Sequence, residues 1–523
     1  MTYGVRFDLA DLPNKQPLSD KTINAPVDPN YGNTFTYTLP KDIKNDFLGQ
    51  IQISPRVGFN YDINGDQKMV LRGGSGLFTG RVPFAWLGYA YYNNGVTYGG
   101  FDKKYTYTGS SPVKPAPGSD PIRDALTGNG EAGYVAKQGV NVNDANGATQ
   151  VDLIDNNFKM PKTWRTSLAF DYKTDDNWKF TVEGIYTKVI HDLKFQQINF
   201  LDNPIYYPYD VNHQQPIYQK VNNNQAINPA YSNAYLLSNT GKGYRYSLTG
   251  QLSKSFPFGL DVMGAYTYGQ SKDITNGIRN SMESNWQLNQ SLSPNDPQLA
   301  YSNFDIRNRI VATLNFRHAW DRESKYVSNF SLFFSAQSGS PYSYGLLNTT
   351  INGTGQNVSL MYIPKAGETA NFITDLKDAN GAVLVTAASQ VAAFDSFIDG
   401  DKYLKTRRGQ FTERNGARTP WNVQADFRFS QDIFVAGSGA KKQSLTFTYD
   451  IVNLTNLLNK NWGVQYFSPN TYNSMASIGL KAATPGSATV NPTYTFDQAN
   501  TSTYSKDFFG SRFQMQFGLR YSF

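Results

Sequence analysis

The last eleven residues of the chain, Phe513 to Phe523, alternate without interruption. Phe513, Met515, Phe517, Leu519, Tyr521 and Phe523 fall on one face, and Gln514, Gln516, Gly518, Arg520 and Ser522 on the other. A period of two marks a strand with one apolar and one polar face. The length constrains as much as the pattern, because a tilted strand crosses the hydrocarbon core of a bilayer in about 9–11 residues. A long edge strand of a soluble β-sandwich would alternate in the same way, so the rest of the chain decides between the two.

The same pattern recurs in pairs of segments joined by short polar turns. Val57, Phe59, Tyr61 and Ile63 run into Asn64-Gly65, a two-residue hairpin signal, and the chain returns through Met69 and Leu71. Trp164, Thr166, Leu168, Phe170 and Tyr172 lead through 174–177 to Trp178, Phe180, Val182, Gly184 and Tyr186. Tyr246 to Leu252 and Leu260 to Tyr268 flank Phe256-Pro257-Phe258-Gly259. Ile310 to Phe316 and Phe330 to Phe334 flank a turn at Asp321 and Glu323, and Trp421 to Phe429 and Leu445 to Ile451 flank a turn at Val435–Lys441. With an opening strand through Tyr3, Val5, Phe7 and Leu9 and the closing one, the pattern predicts about twelve antiparallel strands.

The connections between hairpins are long, about residues 10–54, 79–162, 201–242, 273–304, 341–417 and 456–507. Short turns on one side and long loops on the other are the asymmetry of a transmembrane barrel, with short periplasmic turns and long extracellular loops. A soluble sandwich has no reason to sort its loops, and loops beyond about 15 residues are uncommon in compact domains unless functional. Tyr172, Trp178, Phe256, Phe258, Trp320, Trp421 and Phe434 are expected to flank the short turns as an interfacial aromatic girdle.

Composition agrees with this reading. Only 39% of residues are hydrophobic, yet 15% are aromatic, and mean hydropathy is −0.50. No stretch approaches the roughly 18 apolar residues of a spanning helix, whereas a barrel dilutes its apolar face with polar lumen and loops. The chain has no cysteine, so disulfides and thiolate metal sites are out, and only three histidines, His191, His213 and His318, none with an evident local partner. A net charge of +7 without any long Lys/Arg run fits anionic lipid headgroups and lipopolysaccharide better than nucleic acid, which is not expected as a partner. The opening MTYGVRFDLADLP has no basic or apolar signal-peptide region. The expectation is a start inside the fold, with a signal removed or the chain forming the later part of a longer one.

Several blocks then carry a family resemblance. They are TYGVRFD (Thr2–Asp8), SPRVGFNYDINGD (Ser54–Asp66), LRGGSGLFTGRVPFAW (Leu71–Trp86), YTYGQSKD (Tyr266–Asp273), RRGQFTERNGARTPW (Arg407–Trp421), DIVNLTNLLNKNWG (Asp450–Gly463) and the closing strand. In order, they resemble the C-terminal barrel portion of TonB-dependent outer-membrane receptors and transporters, and more narrowly the Oar-like receptors of Bacteroidota. The resemblance implies a barrel of about 22 strands, an N-terminal plug and a TonB box. About twelve strands and neither of the other parts are legible here, so residues 1–523 are expected to form the C-terminal part of such a barrel. The resemblance further implies uptake of a large or scarce nutrient, assembly of the closing strand (Phe513, Phe517, Leu519, Tyr521, Phe523) by the barrel assembly machinery, and contact with the TonB energy complex only through the missing N-terminal part. A self-contained passive channel of twelve to sixteen strands and a soluble all-β adhesin or lectin are the competing readings.

Candidate ligand contacts lie in two stretches. Arg81, Phe84, Trp86, Tyr89, Tyr91, Tyr92 and Tyr98 follow a glycine-rich segment and could make an aromatic platform, with rings stacking on a sugar or peptide and arginines pairing acidic groups. The alternative is that the glycines let the strand bend and the aromatics pack a loop. Between Lys402 and Arg418, Arg407, Arg408 and Arg414 could form an anion-binding rim, or simply a solvated strand extension whose charges pair across the sheet. Asp62, Asn64 and Asp66 mimic the start of a calcium loop, but Gln67 and Gly73 stand where its glycine and glutamate belong, so a plain turn is expected. The Asn-rich run 203–228 with its tyrosines reads as a polar loop with some capacity for glycans. The Gly74-x-Gly76 spacing resembles a nucleotide loop only superficially. Neither a catalytic constellation nor a metal or cofactor site is expected.

Overall fold

The computed structural model describes residues 1–523 except 13–17, 45–46, 96–106, 109–110, 113–148, 219–225, 276, 278, 348–353, 437–442, 469–474, 477–479, 483–492, 500 and 502. Every alternating segment is a strand. Twelve of them hydrogen-bond in chain order into one sheet: β1 Thr2–Asp8, β2 Gln52–Asp62, β3 Met69–Thr79, β4 Lys162–Lys173, β5 Lys179–Gln197, β6 Tyr244–Ser255, β7 Leu260–Asp273, β8 Asn308–Ala319, β9 Val327–Gln337, β10 Asn422–Ala436, β11 Gln443–Val452 and β12 Gln514–Ser522. All eleven neighbouring pairs are antiparallel.

Cross-strand partners keep like faces together, which is what fixes register when one face is apolar. Leu248 of β6 stands opposite Gly184 of β5 and Tyr268 of β7, and Phe330 of β9 opposite Phe316 and Phe429. On β12, Phe517 stacks on Tyr449 with centroids 4.6 Å apart. The glycines of β3 serve close approach of neighbouring strands: a Cβ on Gly73 would stand 2.8 Å from the Ser167 carbonyl oxygen, and one on Gly76 2.8 Å from Arg56 Cγ.

The short connections 63–68, 174–178, 256–259 and 320–326 share one end of the sheet, and the fifth turn lies largely outside the described residues. The Asn64-Gly65 hairpin is longer than two residues. Asp62 organises it by accepting from the N–H groups of Gly65 at 3.0 Å and Gln67 at 2.8 Å, which is turn chemistry rather than a cation site. Around these turns Trp178 packs edge-on against Phe256, Lys254 lies over both rings, and Phe258 and Trp320 are exposed. Trp421 does not belong to this girdle: β10 runs from it toward the short turn, which puts Trp421 at the long-loop end.

β1 pairs only with β2, and β12 only with β11. Among the described residues, both outer edges of the sheet are therefore unpaired. The large apolar side chains of the sheet are turned outward, with Leu168 55%, Leu248 54%, Phe517 66% and Leu519 69% exposed. Among the described residues no helix is long and apolar enough to cross a membrane.

Most of the buried apolar residues lie elsewhere, in the long connections. At β5 an extra residue, Ile190, interrupts the register, since His191 and Val189 face consecutive residues of β4. Beyond this bulge β5 leaves β6 and pairs with a rim strand, Tyr231–Thr240, which pairs in parallel with Thr149–Ile154. Helix α1 (Phe84–Tyr92) and helix α2 (Met282–Gln287) pack on this rim sheet, and helix α3 (Ala387–Gly400) packs in the connection between β9 and β10.

Candidate functional site

The long connections fold upon one another rather than standing as separate loops. One of their cores gathers Tyr209, Tyr342, Tyr344, Tyr362, Phe372, Phe394, Ile398, Phe411, Tyr494 and Phe496. Tyr209, at the bend of a hairpin formed by Pro204–Pro208 and Gln214–Tyr218, is its centre. Its ring stacks on Tyr362 at 4.5 Å and lies 5.4 Å from both Phe372 and Phe411. Its hydroxyl donates to Gln215 Oε1 at 2.8 Å and hydrogen-bonds the Tyr494 hydroxyl at 2.7 Å. Burial pushes the Tyr209 phenol well above its ordinary pKa, so it stays a neutral donor.

Asp210, the next residue, ties the hairpin to its neighbour through charge. Its carboxylate meets His213 Nδ1 at 2.7 Å, the Tyr362 hydroxyl at 3.1 Å and Lys365 Nζ at 3.3 Å. The Asn212 backbone N–H, then His213, Lys365 and Tyr362, hold its pKa below the usual carboxylate range. His213 thus has the local partner that sequence reading missed, because the pair forms only once the hairpin bends.

Helix α3 begins on Thr386, whose hydroxyl caps Ser389, and buries Gln390, Phe394 and Ile398 at helical spacing. Phe394 packs on Phe496 at 5.0 Å, and Gln390 accepts from the Phe496 N–H at 2.7 Å while donating to the Thr374 carbonyl at 2.9 Å. The 390/394/398 spacing behind a threonine cap is a signal that could have been read from the sequence.

The arginines of the Lys402–Arg418 stretch are tied into the loop assembly, and only Ala417–Arg418 extend the strands, pairing with Tyr342 and Pro341. Residues Leu404–Arg407 form a short 3-10 turn, and each arginine is engaged within the protein. Arg407 donates to the Phe411 carbonyl and lies 3.3 Å from Glu413, and Arg408 pairs with Asp395 at 2.7 Å and Asp399 at 2.8 Å. Arg414 is buried and pairs with Asp273 at the end of β7, while Arg418 pairs with Asp305, which Arg307 also reaches. Charge pairing was expected, but the partners are helix α3 and the strand ends, so these ions clamp the loops to the sheet.

The aromatic platform is divided in two. Trp86 is buried against Phe195 and donates from Nε1 to the Arg279 carbonyl at 2.6 Å, with Leu87 and Ala90 buried beside it. Tyr89 and Tyr91 are half-buried, while Arg81, Phe84 and Tyr92 remain exposed. Tyr98 and residues 219–225 of the Asn-rich run lie outside the described residues. Phe513, Phe517, Leu519, Tyr521 and Phe523 keep one apolar face outward on and beside β12. Among the described residues no cluster of three or more potential metal ligands exists.

A twelve-stranded antiparallel sheet with an apolar outer face, sorted connections and a folded loop assembly defines an outer-membrane β-barrel protein. The chain belongs to the outer membrane β-barrel domain family, whose model matches residues 1–520. This is a family of membrane barrels rather than enzymes, and it places the protein in the cell outer membrane. Comparison with curated proteins gives no match. Among solved structures the chain is similar to the outer membrane transporter YddB from Escherichia coli, at 12% identity and a TM-score of 0.35, covering 87% of this chain and 40% of that one. It is also similar to the siderophore receptor PirA from Acinetobacter baumannii (9%, 0.30, covering 78% and 37%) and the FrpB iron transporter from Neisseria meningitidis (9%, 0.28, covering 78% and 35%). The chain thus spans about two fifths of the length of these structures.

Proposed function

We propose that these twelve strands are part of a larger closed barrel of a TonB-dependent receptor of the Oar-like group, which takes up a large or scarce nutrient captured by the folded loops. The two sheet edges, β1 and β12, which are unpaired among the described residues, carry this reading. Backbone N–H and C=O groups left open to lipid cost several kcal/mol each, a total that no twelve-strand open sheet survives in a bilayer. Further strands on both edges remove that cost, and a larger barrel has a lumen that a plug can fill. In this reading the outward aromatic face of β12 is what the barrel assembly machinery recognises, lipid and lipopolysaccharide contact the wall and rim, and the energy complex is reached through parts outside residues 1–523. The exposed Arg81, Phe84 and Tyr92 belong to the ligand-facing surface.

The test is reconstitution of residues 1–523 alone into planar bilayers. The expected result is no stable unitary conductance and no heat-modifiable closed species. A steady, uniform channel from this chain alone would overturn the reading in favour of a passive pore.

A further inference from the structure

Beyond the Ile190 bulge, β5 carries Lys194 and Gln196 onto the rim sheet, opposite Ser238 and Leu236. Residues two apart on paired strands share a face, so these four side chains form one floor. Residues 31–38 fold over it, anchored where Gln196 Nε2 donates to the Thr36 carbonyl at 3.0 Å. Between floor and cover lies a cleft of about 360 Å³. Small-molecule sites occupy about 300–1,000 Å³.

Part of the lining is already committed. Asp155 accepts from the Thr38 hydroxyl and from the Asn157 N–H at 2.8 Å, and Asn239 donates to the carbonyls of Lys159 and Asp192. Tyr31 and Tyr37 pack edge to face at 5.1 Å, and the Tyr31 hydroxyl donates to the Tyr37 carbonyl, which holds both rings in the wall. The Lys194 ammonium, the hydroxyls of Ser238 and Thr36 and the side-chain amide of Asn157 are different. Among the described residues none of them has a hydrogen-bond or ion-pair partner, and all four line the cleft. Burial pulls the Lys194 pKa down, against the more distant attraction of Asp296.

We propose that this cleft is a binding subsite for an acidic saccharide, a mono- or disaccharide unit bearing a carboxylate. The carboxylate meets the Lys194 ammonium in a charge-assisted hydrogen bond, the ring hydroxyls meet Ser238, Thr36 and Asn157, and the apolar ring face lies on the Tyr31–Tyr37 wall. The proposal rests on the receptor reading, since it assigns part of the captured nutrient, but binding at the rim needs neither energy nor transport.

Outer-membrane vesicles from cells expressing the full-length protein, compared with vesicles from the same cells lacking it, test the site with labelled digalacturonate. Saturable binding is expected, with Lys194→Gln weakening it at least about tenfold, because a hydrogen bond to a charged group is worth about 1.5–3 kcal/mol. Lys194→Arg keeps the charge and retains binding within about threefold. Ser238→Val, which leaves the ammonium in place and removes a hydroxyl, weakens it about three- to tenfold. Absence of saturable binding, equal binding by the wild type and Lys194→Gln, equal binding of neutral maltose, or full competition by inorganic phosphate at matched concentration would each overturn the assignment. If digalacturonate binds as expected but residues 1–523 alone form a steady channel, the receptor reading fails and the subsite stands.

Discussion

The sheet and the loops of this protein follow opposite rules of burial. On the twelve strands large apolar side chains point outward, whereas in the connections Tyr344, Ile398, Leu404 and Leu237 have no exposed surface. The strands are built for a solvent that is itself apolar, so they gain little from hiding those side chains in one another. The loops face water and must make their own core, which they do by joining segments as distant as Tyr209 and Tyr494. The same residue type therefore means different things in the two regions: Phe517 is surface, and Phe394 is interior.

The sharpest way to break this contrast is to truncate one residue of each kind. Phe394→Ala is expected to cost the loop assembly about 3–5 kcal/mol, read as lost hydrogen-exchange protection of α3, while Leu248→Ala on the sheet stays within about 0.5–1 kcal/mol in lipid. Equal costs would mean that the loops have no core of their own. Arg414→Ala should be as damaging as Phe394→Ala, about 3–5 kcal/mol, because it strands the Asp273 carboxylate where loop meets strand. Protease resistance of the 400–418 segment reports it, and an unchanged cleavage rate would remove the clamp from the account.

A charge on the sheet's outer face inverts the pattern. Leu248→Lys is expected to cost about 2–4 kcal/mol near the bilayer midplane, whereas in a water-facing sheet it would cost almost nothing, and stability in phospholipid vesicles separates the two. The smallest effect is pH-dependent. Burial raises the Asp152 carboxyl of the rim sheet to about 6, against the lowering influence of Asn93 and Gln150. Because the folded state holds this proton more tightly than the unfolded chain, its contribution is present below about pH 4 and lost as pH rises through about 6. Asp152→Asn should thus stabilise the rim by up to about 3 kcal/mol near pH 8 and change little near pH 4, followed through the fluorescence of Trp86 and Trp286. A gain of the same size at both pH values would refute the assignment to ionisation.

The contrast also explains what was legible in the sequence. Alternation is local, so the strands through Val57–Ile63, Trp164–Tyr172 and Leu445–Ile451 could be read directly, with ends misplaced only where a turn such as 63–68 is organised by a side chain. The loop assembly depends on contacts between segments far apart. Nothing near Arg414 announces Asp273, and nothing near Tyr209 announces Tyr362. Trp86 looked like a ligand-facing ring because its partner Phe195 lies more than a hundred residues downstream. Lys194 and Gln196 drew no notice because they continue a strand already explained, and only the bulge gives them a different neighbour.

That bulge makes Ile190 a phase marker for the chain. In a structure of period two, a shift of one residue in the pairing exchanges the two faces of everything beyond it. Drawing Ile190 into the ladder would leave the membrane wall below unchanged while sending Leu193 and Phe195 to the side now held by Lys194 and Gln196, whereas deleting it would set His191 beside Val189 in plain register with Lys162 and Thr163 and keep every face. Length variation among related chains should therefore be common in the polar turns and, between residues 189 and 191, confined to loss of the extra residue.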